Sequence, residues 1–118
     1  MNEAMKDVIW VGDSHTRVRS FPKAARTTVG RALQAAQSGS KHKNAKPLRG
    51  IGSGVLEITA RYDTNTYRAV YTVKLGESIY VLHAFQKKST RGIRTPKKEI
   101  DLIKQRLKMA QEMEAKNE

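Results

Sequence analysis

The chain has no cysteine among its 118 residues, which removes disulfides, zinc-cysteine centres and thiol nucleophiles together and suits a reducing compartment. It also lacks any apolar run approaching the roughly 20 residues that a membrane-spanning helix needs. Its first residues carry no apolar core of a signal peptide. The expectation is a protein that meets no membrane and stays in the cytoplasm. There is no internal repeat, no glycine-rich phosphate loop and no metal-ligand spacing. His15, His42 and His83 are scattered along the chain, so neither a metal nor another cofactor is expected.

Acid is the other scarcity. Only 11 Asp and Glu stand against 23 Lys and Arg, a formal net charge of +12, and the isoelectric point is about 10.2. From Ser14 to Leu56 there is no acid at all, while Arg17, Arg19, Lys23, Arg26, Arg31, Lys41, Lys43, Lys46 and Arg49 are basic. From Ser78 to Lys98 acids are again absent, against Lys87, Lys88, Arg91, Arg94, Lys97 and Lys98. A distribution this one-sided points to a polyanionic partner, nucleic acid first.

What is present is a meander. In Val55 to Asp63, Leu56, Ile58, Ala60 and Tyr62 alternate with Glu57, Thr59 and Arg61, the period of a strand with one buried face. Thr66 to Lys74 resumes the alternation. A two-residue loop at Thr64 and Asn65 pairs Asp63 with Thr66, setting Tyr62 opposite Tyr67, Ala60 opposite Ala69, and Arg61 opposite Arg68 on the outer face. A loop at Leu75, Gly76 and Glu77 leads to Ser78 to Lys88. There Ile79, Val81, His83 and Phe85 join the core row, with His83 as a hydrogen-bonded structural histidine. Tyr80, Leu82, Ala84, Gln86 and Lys88 join the outer face. A slip of one residue would turn arginine inward and expose tyrosine and isoleucine.

Upstream, Val8 to Val11 reads as an edge strand of the same sheet. Asp13 or Ser14 caps a short helix to about Ser20. Pro22 opens a second helix whose Ala25, Val29, Ala32, Leu33 and Ala36 make one apolar stripe that ends at Gly39. Ser40 to Gly54 reads as a basic loop carrying Lys46 and Arg49, beside the sheet where such loops hold phosphates. Ser89 to Arg94 reads as a second basic loop. Thr95 and Pro96 then serve as N-cap and first residue of a C-terminal helix with Ile100, Ile103, Leu107 and Ala110 along one side. One α+β domain over residues 1–118 is expected: an N-terminal edge strand, two helices, a three-stranded antiparallel meander and a C-terminal helix, with 1–7 and 111–118 flexible.

The segments FPKAAR at Phe21, AKPLRGIGSGVLEI from Ala45, TYRAVYTV from Thr66, YVLHAFQKKS from Tyr80 and TPKKEI from Thr95 come in an order and spacing that resemble one family. It is the RelE/ParE superfamily of toxins from bacterial toxin-antitoxin pairs, and within it the HigB-like, phage-derived branch. The likeness covers the chain from Asp13 to about Lys108. It implies a RelE-like fold and an endoribonuclease that cuts messenger RNA on the ribosome without a metal, by attack of the ribose 2′-hydroxyl on the neighbouring phosphate. It also implies an antitoxin partner, expected to be of helix-turn-helix type. By that resemblance Arg68, the arginine of the Tyr-Arg pair in the middle strand, serves the phosphate. Lys88, with Lys87 beside it, supplies the basic residue at the end of the last strand.

Two departures accompany the likeness. Glu57 and Thr59 stand where RelE toxins carry two lysines, and no tyrosine follows the last strand near Arg94 and Thr95. Glu57 is then the candidate base, with Lys88 or Lys87 as clamp or acid; His42 ranks below it. Arg61, Lys46, Arg49, Gln86, Arg91 and Arg94 are candidates for gripping RNA, and Tyr80 for stacking a base. Two other functions share these features: a ParE-like toxin that binds DNA gyrase, and a nucleic-acid-binding module that does not cut.

Overall fold

A computed structural model of the protein describes residues 5–52, 54–87 and 95–117. Five strands and three helices follow in the order β1 (Val8–Trp10), α1 (Ser14–Arg19), α2 (Lys23–Gln37), β2 (Ala45–Pro47), β3 (Val55–Tyr62), β4 (Asn65–Thr72), β5 (Ile79–Lys87) and α3 (Lys97–Lys116). They build one mixed sheet in the order β1-β5-β4-β3-β2, with β1 parallel to β5 and the other pairs antiparallel. The expected α+β architecture is therefore present, but the three-stranded meander is the centre of a five-stranded sheet. The extra strand, β2, lies inside the stretch read as loop. Its three residues have no hydrophobic alternation, and only their pairing with β3 reveals them.

Helices cover both faces. Val29, Ala32, Leu33 and Ala36 of α2 pack with Val18 and Phe21 on one face, over Ile58, Ala60, Tyr67, Ala69, Tyr71, Ile79, Val81 and Ala84. The stripe read in α2 is buried as expected, because its alanines let the helix lie close to the sheet. On the other face Ile103 and Ala110 of α3 bury Val55, Val70, Tyr80 and Leu82. The apolar half of the face read as the outer one is thus the seat of α3, and its basic end lies beyond that apolar cluster. Helix α3 runs to Lys116, and Tyr80 donates a hydrogen bond to Glu114 Oε1 at 2.7 Å near its end.

Two register differences decide which side chains meet. The β3-β4 turn uses Asp63 and Thr64, both at positive φ (51° and 67°), so Tyr62 faces Asn65 and Arg68 faces Thr59 rather than Arg61. Such a turn suits the twist of a two-residue hairpin. A slip of two residues leaves every side chain on its face, so burial alone could not have told the two registers apart. Tyr62, expected in the core, is 47% exposed beside the turn.

The second difference is a bulge in β5. Tyr71 pairs with Val81 but Val70 pairs with His83, leaving Leu82 as the extra residue. Beyond it the faces exchange. Ala84 and Gln86 fall on the side of α1 and α2, while His83, Phe85 and Lys87 fall on the side of Arg68, the reverse of the expected rows. One inserted residue brings Lys87 into the row with Arg68.

Candidate functional site

The basic end of the α3-side face is built from three strands. Glu57 and Thr59 come from β3, Arg68 from β4 and Lys87 from β5, each placed there by strand alternation. Glu57 and Arg68 are each 8% exposed and Lys87 9%. Arg68 Nη1 donates to Glu57 Oε1 at 2.6 Å, and the Thr95 hydroxyl donates to Glu57 Oε2 at 2.8 Å. Thr95 was expected to cap α3, but Pro96 holds that position and the threonine is spent on the carboxylate. Burial pushes the Lys87 ammonium below the usual lysine pKa, and the Arg68 charge pushes the same way against Glu57. Arg68 Nε is buried without a partner among the described residues, a donor left over in a cluster that has little water to bond.

Beside this cluster, Lys46 and Pro47 of β2 and Asn44 form the rim of a cleft of about 670 Å³ that also includes Thr28, Lys43, Glu57, Thr59, Arg61 and Arg68. Lys46 sits directly opposite Glu57 in the β2-β3 pair, which is why the unforeseen strand matters to the site. Of the residues expected to grip RNA, Lys46 and Arg61 line the cleft. Arg49 is exposed on the loop after β2 but is outside the cleft lining. Gln86 is exposed on the opposite face, beside Tyr67 and Phe21.

Tyr80 is fully buried under α3, so it offers no face to a base. Burial and its bond to Glu114 push its hydroxyl up to about 12. Lys88, Arg91 and Arg94 lie outside the described residues. His42 accepts a hydrogen bond from the Asn44 amide at 3.0 Å and is part of the turn that leads into β2. His83 is structural as expected, though on the other face, with Nε2 2.7 Å from Glu99 Oε1 at the start of α3. Thr95 is the participant that sequence reasoning missed, because its position before a proline reads first as a helix cap.

The fold and cluster define a class: a basic α+β domain whose sheet end holds a dry Glu-Arg-Lys group beside an open, lysine- and arginine-lined cleft. The description "Phage derived protein Gp49-like" matches residues 16–108, so the chain belongs to the Gp49-like family, a RelE/HigB-type toxin family. A comparison with curated proteins finds no match. Among solved structures, the toxin-antitoxin complex RelBE2 from Mycobacterium tuberculosis is similar at 17% identity and a TM-score of 0.42, over 75% of this chain and 98% of that one.

Proposed function

We propose that this RelE-like toxin is an endoribonuclease that cuts messenger RNA, on the ribosome, at the Glu57-Arg68-Lys87 cluster. The observation that carries the reading is the joint burial of these three groups, two of which, Glu57 and Arg68, also line a cleft whose rim is basic. Fixed charges of this kind act on a developing phosphorane far more strongly out of water than in it.

The chemistry follows from the atoms available. An entering phosphate takes the Arg68 guanidinium, using the unspent Nε–H as well as Nη1, and so relieves Glu57 of one partner. Glu57 then accepts the 2′-hydroxyl proton as the 2′-oxygen bonds to phosphorus. The bond to the 5′-oxygen breaks, and Lys87, acidified by burial, gives that oxygen its proton. The products are a 2′,3′-cyclic phosphate and a free 5′-hydroxyl. Lys46 and Arg61 hold the flanking backbone.

A second reading has its own observation. Arg68 is already paired with Glu57, which is itself held by Thr95, and a closed buried pair of this kind also serves as architecture. On that reading the cleft grips nucleic acid or a gyrase complex and nothing is cut. Inducible expression of the wild type beside Arg68→Ala in a bacterial host, with mapping of new 5′ ends in cellular mRNA, separates the two. Growth arrest with cuts in translated frames, both lost in Arg68→Ala, is expected. Arrest without new ends, with supercoiling lost, selects gyrase.

A further inference from the structure

A second cavity, of about 400 Å³, opens on the opposite face at the far end of the sheet. Lys6, Lys41 and Lys74 line it together with Leu56, Tyr71, Val73, Ala36, Gly39 and Ser40. No acid is in the lining, and none of the three lysines has an ion pair among the described residues. The Lys74 stem lies against Gly54, where a Cβ would overlap Lys74 Cγ.

Tyr71 adds a polar group to this lining. Among the described residues the sealed side-chain atoms without a partner are Arg68 Nε and His83 Nδ1. Tyr71 is only 1% exposed, and its hydroxyl is not one of them. Desolvation raises its pKa, so it is a hydrogen-bond donor across the neutral range. A pocket of this size with apolar walls, one convergent hydroxyl and a cationic rim suits an apolar side chain next to a carboxylate.

We propose that this cavity docks an acidic peptide segment of the antitoxin, an apolar side chain seated against Leu56 and Val73 and a neighbouring carboxylate held by the Tyr71 hydroxyl and the three lysines. The occupant rests on the toxin reading, since a chain of net charge +12 that is neutralised by a protein needs acid from it. Docking here would hold the partner while leaving the cleft on the other face free for separate control.

The test selects a displayed library of random hexapeptides on the full-length protein and measures each survivor by fluorescence anisotropy. The proteins compared are the wild type, Tyr71→Phe, the Lys41→Glu/Lys74→Glu double variant, and Lys46→Glu in the cleft. Survivors are expected to combine Asp or Glu with Leu, Ile or Phe. They should lose at least tenfold in affinity to the double variant, about threefold to Tyr71→Phe and less than twofold to Lys46→Glu. Tyr71→Phe removes one oxygen and keeps the ring, so it reads the hydroxyl without opening the core.

Survivors that are purely acidic, that weaken equally with Lys46→Glu, or that ignore the pocket variants would overturn the proposal. Growth arrest by the same pocket variants is scored separately and is expected to persist. Loss of the pocket result with arrest intact counts against the pocket alone. A pocket that binds in a protein causing no arrest counts against the toxin reading instead.

Discussion

Glu57, Arg68 and Lys87 are withdrawn from water together, and the Lys87 ammonium is held below the usual lysine pKa by burial first and by the Arg68 charge second. As the acid of the proposed cleavage, Lys87 would act only while protonated. The cleavage rate is therefore expected to fall as pH rises through its lowered pKa, and Lys87→Gln should abolish that alkaline limb and reduce the rate by about 10²–10⁴-fold. Single-turnover rates on a short RNA across pH 6–10 check both. His83 makes a stability statement. Burial outweighs Glu99 and lowers its pKa in the folded protein, so the unfolded chain binds the extra proton first. Stability is then full above about pH 6.5, the unfolded histidine value, and lost as the pH falls below it. Urea midpoints at pH 7.5 and 5.5 should differ for the wild type, and the difference should shrink in His83→Gln.

Among the elements, α3 is tied to the rest through Arg106, whose guanidinium donates to the Leu82 carbonyl at 3.1 Å and to Asp13 Oδ1 at 2.9 Å. Gly12 leaves room for that guanidinium: φ is +57°, and a Cβ would stand 2.5 Å from Arg106 Cζ. Gly12→Ala is expected to cost about 1–3 kcal/mol through strain and displacement of Arg106, read as a lowered midpoint in chemical denaturation. The elements themselves were legible wherever a period was sustained. The alternation of β3 and β4 and the stripe of α2 name buried residues such as Ile58, Ala60, Ala69, Val29 and Leu33, since burial enforces them, but not Tyr62, which is exposed beside the turn. What escaped were features without a periodic signal. The three-residue β2 exists through pairing, the β3-β4 register differs by two with no change of face, and the extra Leu82 in β5 inverts a row that a perfect alternation assigns with confidence to the wrong side. Arg68 and Glu57 were therefore placed on the right face, Lys87 was passed over for Lys88 as the one on it, and Tyr80 was placed on a surface that α3 covers.

For the molecule as a whole, the charge imbalance has a measurable slope. If Lys46, Arg61 and Arg68 each neutralise one phosphate of single-stranded RNA, log K should fall against log salt with a slope of about −2. Lys46→Ala should flatten it by about 0.7. Anisotropy titrations between low and moderate salt, on an RNA with a deoxyribose at the scissile position so that it is bound and not cut, give both slopes.

The strand order has a consequence in time. β5 is the last strand made, yet it lies between β1 and β4. At about 5–20 residues per second of synthesis, a nascent chain waits several seconds between the emergence of β1 and the arrival of the strand that joins it to the sheet. In that interval the meander ends at β4 with its outer edge unfilled, and Arg68 has neither Lys87 nor Thr95 near it. Chains released early, before Ile79, are expected to be harmless and sticky at once: unarmed, and carrying an open strand edge that invites another chain.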